Sequence, residues 1–143
     1  MKLLLLTIAA SMAFFTQAKT QCLTHVKYTA AKMEILDADM NVTDTKEEPL
    51  TFETRAGYFT GIREEEITDS IHGQISNVTC NWKEPFKNGK ITIECNITGK
   101  DNDMGDATVT IEAVEGKINI LISAKARPGQ IIRVVVDKYE EIK

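Results

Sequence analysis

ATVTIEAVEGKINILISA, residues Ala107 to Ala124, decides the fold class. Apolar residues occupy every second position on both sides of Glu115-Gly116: Ala107, Val109, Ile111 and Ala113 before it, Ile118, Ile120, Ile122 and Ala124 after it. A period of two marks a strand with one buried face, and a helix of period 3.6 cannot produce it. A two-residue turn at Glu115-Gly116 pairs Val114 with Lys117, which aligns Ala113 with Ile118, Ile111 with Ile120 and Val109 with Ile122. Every apolar residue then falls on one face, so the stretch predicts an antiparallel hairpin.

The same alternation continues in both directions. Upstream lie Ile91, Ile93, Cys95 and Ile97, and before them Val78, Cys80 and Trp82; downstream lie Ile132, Val134 and Val136. Pairing Ile97 with Ala107 sets Cys95 opposite Val109 and Ile93 opposite Ile111, again apolar against apolar. A five-stranded meander is predicted from Val78 to Val136. The Asn88-Gly89 region joins its first two strands, and the shared face requires paired residue numbers there to sum to an odd number. A sum of 177 sets Cys80 diagonal to Cys95, and 175 sets them directly opposite, where a disulfide fits. Cys80–Cys95 is thus the bridge the spacing suggests, with a pair of buried thiols as the alternative.

The first half is less regular. Val26, Tyr28 and Ala30 alternate, then Met33 and Ile35 continue in the opposite phase, which predicts a bulge near Ala30-Ala31. Strands at Leu50–Thr54, Tyr58–Ile62 and Glu66–Gln74 bring the total to about nine. The fold class is all-β: an antiparallel up-and-down meander closing as a small barrel or half-barrel, with a two-layer sandwich as the alternative.

Met1-Lys2, the apolar run Leu3–Phe15 and the small residues of Thr16-Gln17-Ala18 have the layout of a secretory signal peptide. Residues 1–18 are read as that signal, and residues 19–143 as a single antiparallel β domain, secreted or periplasmic. The apolar run is shorter than the ~20 residues of a membrane helix, and no later stretch approaches one. Without Lys2, 16 basic residues face 21 acidic ones, a formal charge of −5. Basic clustering of the kind counterion release needs is lacking, so nucleic acid is not expected as a partner. Glu64-Glu65-Glu66 reads as a solvated turn or strand edge. Cys22, four residues beyond the expected cleavage point, lacks the preceding residues of a lipidation site.

Catalytic motifs are hard to find. His25 and His72 lie on separate predicted strands, with no nucleophile in a G-x-S-x-G turn. No zinc spacing occurs. Asp101, Asp103 and Asp106 have the close carboxylate spacing a hard cation favours, but the loop lacks the glycine and distal glutamate of a calcium-binding loop, and a solvated hairpin loop is expected. No cofactor is expected, and the chain reads as a non-enzyme. Asn41, Asn77 and Asn96 head N-x-[ST] sequons; the face arithmetic turns Asn77 and Asn96 outward. Trp82 is a candidate ligand-stacking residue in a barrel, or part of the core. The G-x-W motif of lipocalins is missing, since Asn81 and Cys80 precede Trp82. The function expected is a binding module holding a small apolar ligand. The alternative is a protein-interaction domain (inhibitor, adhesin or surface accessory) using an exposed β edge or face, suggested by the two-sided apolar run Ile131–Val136 and by Tyr58-Phe59.

Overall fold

A computed structural model describes residues 22–63, 70–99 and 104–143. The signal segment, Glu64-Glu65-Glu66, Asp101 and Asp103 lie outside the described residues. Eight antiparallel strands follow one another: β1 (Val26–Leu36), β2 (Val42–Arg55), β3 (Tyr58–Arg63), β4 (Ile71–Glu84), β5 (Asn88–Gly99), β6 (Gly105–Val114), β7 (Lys117–Ala124) and β8 (Ile131–Glu141). Each pairs with its sequence neighbours, and β8 returns to β1, closing an up-and-down barrel. The sandwich is thereby excluded; each strand is paired on both sides over part of its length, while among the described residues Val42–Pro49 of β2 and Ser76–Glu84 of β4 have no partner from β3.

The hairpin at Ala107–Ala124 has the predicted register, with Val114 opposite Lys117, Ile111 opposite Ile120 and Val109 opposite Ile122. The β5–β6 pair keeps the predicted face but slides by two residues, so Ile97 meets Gly105 and Ile93 meets Val109. A two-residue slide leaves every side chain on its face, so burial alone could not fix it. Eight strands replace about nine because Glu66–Gln74 and Val78–Trp82 contribute to one strand, β4. Ile71, Gly73 and Ile75 point inward, Ser76 bulges, and Val78 resumes the inward face opposite Ile93. The bulge absorbs the phase change that reads in sequence as a break.

The bulge predicted near Ala30 is present on both sides of β1. It faces Glu48-Pro49 of β2, where the ladder skips residues and an imide without an N–H does no harm. The first eight residues of β2, Val42–Pro49, lie outside every predicted strand, because polar residues there alternate with polar residues.

The core lies inside the barrel. Phe59, Ile93, Ile97, Val109, Ile111 and Ile120 are wholly shielded from water. On β5, Lys90, Glu94, Asn96 and Thr98 face outward and are exposed. A barrel in lipid has the reverse polarity, apolar outside and polar within. Among the described residues, no helix is long and apolar enough to cross a membrane.

Candidate functional site

The barrel has two ends, and the chain finishes them differently. The lower end holds the start of β1, the β2–β3, β4–β5 and β6–β7 turns, and the end of β8. Here Cys22 reaches Cys80 on β4, forming a disulfide with a Cα–Cα distance of 6.1 Å. Strands β1 and β4 are not neighbours, so residues 22–25 must cross the barrel end to make this bond. Leu23 is buried in the core below them, Thr54 Oγ1 donates to the Thr24 carbonyl (2.9 Å), and Ile142 N–H donates to the His25 carbonyl (2.9 Å).

The predicted Cys80–Cys95 bridge is therefore not formed, and Cys95 keeps a free, buried thiol. In the observed register Cys80 faces Ile91, and Cys95 faces Ile75. The two cysteines are separated by four positions along the sheet, about 13 Å at ~3.3 Å per residue, against a disulfide reach of ~7 Å. Paired numbers between Asn77 and Trp82 sum to 171, so the odd parity holds while the turn differs from both predicted forms. The connection is Pro85–Lys87, closed by Lys87 N–H donating to the Glu84 carbonyl at 3.0 Å. Phe86 takes a left-handed φ of 63°, which a bulky residue rarely adopts. It is held between Tyr139 (ring centroids 4.3 Å apart, 12° between planes) and Trp82 (5.7 Å, 43°).

Trp82 therefore belongs to the sealed end. The upper end holds a cavity of about 260 Å³ instead. Ile71 lines it from β4, eleven positions and roughly 36 Å of strand from Trp82. The stacking role considered for Trp82 does not apply to this cavity. Its apolar wall includes Met33 and Ile35 of β1, Leu50 and Phe52 of β2, Ile122 of β7 and Ile132 of β8. Gly61 and Gly99 also border it, and Met104 adds to the wall from the β5–β6 connection.

Polar residues also line this cavity, Lys46, Arg63, Arg127 and Gln130 among them. Lys46 faces Met33 across the β1–β2 ladder and so shares its inward phase. Arg63 faces Leu50, and its Nε donates to Glu48 Oε1 at 2.7 Å. Arg127 and Gln130 come from the β7–β8 connection, folded by Arg127 N–H to the Ala124 carbonyl (3.1 Å) and Gln130 N–H to the Arg127 carbonyl (3.3 Å). None of these four stands out in the sequence. The available signal was the reversed phase of Met33 and Ile35, which places a lysine on the inward face of the strand opposite.

The remaining candidates lie elsewhere. His25 pairs with Glu53, and Arg55 Nη2 donates to the same Glu53 oxygen at 2.8 Å. The hydrogen bond from His25 holds the Glu53 carboxyl below its usual range, partial burial opposes this, and Arg55 adds to the lowering. His72 stacks on Tyr58 outside the barrel (5.4 Å), whereas Phe59, the second member of the Tyr58-Phe59 pair, points into the core. Burial, then the Asp106 and Glu94 carboxylates, push the Cys95 thiol up to about 11. Asp106 is exposed, accepts from Asn96 Nδ2 (3.3 Å) and lies 3.9 Å from Lys125 Nζ. Asn41, Asn77 and Asn96 are all exposed.

No protein-family model matches the chain, and no curated protein matches it. The class rests on fold and site together: a closed eight-stranded up-and-down barrel, polar outside and apolar inside, sealed at one end and hollow at the other.

Proposed function

We propose that this chain is an exported, non-enzymatic binding module that holds a small apolar ligand in the upper cavity of its barrel. The observation that carries the reading is that cavity, bounded by the apolar side chains of Met33, Leu50, Phe52, Ile122 and Ile132. Sites for small molecules are mostly apolar concavities with a few polar groups, and the mouths of β-barrels are a recurrent location for them. At about 260 Å³ the space equals roughly nine water volumes of ~30 Å³ each, so the ligand is small.

Export is supported by residues 1–18 and by the disulfide, since such bonds persist in oxidising compartments. The non-enzymatic reading is supported by how the reactive side chains are engaged. His25 is paired with Glu53, His72 is stacked on Tyr58, Cys80 is in a disulfide, and the Cys95 thiol is buried with a raised pKa. A second reading, a protein-interaction face, draws on β8. Ile132 and Val134 line the cavity, while Ile131 faces Ser123 and Val135 faces Asn119 on the outer surface.

Native mass spectrometry of unreduced protein from its exporting host, followed by a titration with 1-octanol read by ¹H–¹⁵N NMR, tests the ligand reading. Saturable shifts at Ile122, Ile132 and Met104, lost in Ile132→Trp, are expected. Absence of saturable binding by octanol together with a bare polypeptide mass would move the assignment to the outer face of β8.

A further inference from the structure

Strand β3 is short, and β4 outruns it toward the lower end. Their pairing stops at Tyr58 opposite Gln74, where the β2–β3 turn begins, and Ile75 N–H donates to the Gly57 carbonyl at 2.9 Å. Beyond that point β4 runs on to Glu84 with β5 beside it; among the described residues no strand pairs with Ser76–Glu84 on the other side. A row of unpaired N–H and C=O groups is a template for another chain's strand, and natural sheets cover or encumber such edges. Asn77 lies on this stretch, exposed, and heads the sequon Asn77-Val78-Thr79. Val78 is buried in the core, so the period of two turns Asn77 and Thr79 outward together, amide and hydroxyl on one face. The Cys22–Cys80 disulfide meets the stretch from its inner face, three positions along from Asn77.

We propose that the exported protein carries an N-linked glycan on Asn77, and that this glycan covers the β4 edge and keeps two barrels from joining there. The proposal rests on the export reading above and is independent of the cavity. Three of the seven asparagines head N-x-Thr sequons, where composition alone gives about one. Of the three, Asn77 lies within a strand at such an edge. Asn41 precedes β2 in a turn, and Asn96 lies on β5 between Gln74 and Asp106, its Nδ2 donating to Asp106 Oδ1 at 3.3 Å. In the transfer, Asn77 Nδ2 bonds to the anomeric carbon of an oligosaccharide carried on a polyprenyl diphosphate. The bond from that carbon to the diphosphate oxygen breaks, the diphosphate leaves with the electron pair, and the amide nitrogen gives up one proton to a base of the transferase. A glycan is bulky and hydrated, so a strand approaching β4 would have to displace it before the two backbones met.

The test starts with protein recovered from its exporting host. Peptide N-glycosidase in heavy-oxygen water converts a glycosylated asparagine to labelled aspartate, and tandem mass spectrometry maps the label. Label at Asn77 is expected. An unlabelled Asn77 in a chain that begins at Lys19 would overturn the proposal and leave export standing; an unlabelled Asn77 in a chain that keeps residues 1–18 would take the export reading down with it. Sedimentation velocity reads the covering role separately. Thr79→Ala removes the sequon and leaves Asn77 in place, whereas Thr79→Ser keeps both. Thr79→Ala is expected to self-associate roughly tenfold more tightly than the wild type, and Thr79→Ser to match the wild type. Asn77→Gln, which loses the glycan by a different substitution, should associate as Thr79→Ala does. Equal association of the wild type and both glycan-free variants overturns the covering role. So does association by Thr79→Ser, with its glycan retained, as strong as that of Thr79→Ala.

Discussion

At the lower end of the barrel, residues 22–25, the Cys22–Cys80 disulfide and the Trp82–Phe86–Tyr139 stack occupy the space between the strands. At the upper end the same alternating strands surround a cavity. The inward positions there are taken by Gly61 and by half-buried Met33, Ile35 and Ile132, and Lys46, Arg63 and Arg127 also line the cavity. The same eight strands form both ends, and the ends differ in what the connecting segments carry and in the size of the inward side chains. A protein that only needed stability could have filled both ends. Sealing one with a covalent tie and leaving the other hollow concentrates rigidity where nothing has to enter.

The strongest way to break this comparison is to cut the tie. The bridge spans a sequence separation of 58, for which chain-entropy arguments give about 4 kcal/mol. Cys22→Ser is expected to lose an amount of that order in urea unfolding, while octanol binding at the far end survives under native conditions. Loss of binding in proportion to stability would instead show that the two ends are one cooperative unit. The same samples check the pairing. Without reductant, iodoacetamide should leave native wild-type protein unlabelled and modify one cysteine, Cys95, in urea. Labelling of Cys22 instead would mean that Cys80 and Cys95 are bridged.

Two glycines sharpen the contrast without touching the disulfide. A Cβ on Gly73 would lie 2.1 Å from Cε1 of Phe59, a ring shielded from water and stacked on Phe52, so Gly73→Ala is expected to destabilise by ~2–3 kcal/mol. A Cβ on Gly61 would meet Cγ1 of Ile71 at 2.9 Å, but Ile71 borders the cavity and has room to turn. Gly61→Ala should therefore be neutral or stabilising by up to ~0.5–1 kcal/mol, through the loss of unfolded-state freedom. Equal penalties at both positions would mean that Ile71, at the cavity wall, has no more room to move than the buried Phe59 ring.

The smallest expected effect concerns pH. Glu53, beside His25 at the lower end, has a folded pKa held below its ordinary value of 4.5. A depressed carboxylate stabilises fully above its unfolded pKa and loses that contribution as pH falls through the folded pKa. The stability difference between wild type and Glu53→Gln should be present at pH 6, under about 1 kcal/mol, and should fade as the pH drops below 4.5. A difference that grew on acidification would reverse the sign and exclude the His25 pairing as its source.

Legibility in the sequence followed the strength of the alternation. On β5, β6 and β7 the inward residues are Ile, Val, Ala and Cys with mainly polar neighbours, and β6–β7 has the register read from it. Val42–Pro49 carries the sequence Val-Thr-Asp-Thr-Lys-Glu-Glu-Pro, polar on both faces, so half of β2 was invisible and the cavity-lining Lys46 with it. Arg63 sits where β3 reaches the upper rim, and Arg127 in a turn. Neither position has a periodicity that could announce which way its side chain faces.

By itself the sequence determined the class of fold, the face each late strand buries, the bulge at Ala30 and the odd parity of the β4–β5 ladder between Asn77 and Trp82, because all of these follow from a local period of two. Tertiary structure alone decided that Cys22 and not Cys95 reaches Cys80, that β8 closes onto β1, and that the cavity lies at the end away from Trp82. Those outcomes join segments remote in sequence, and they depend on strand register to within two residues. Burial constrains register only to an even slide, since every second residue returns to the same face.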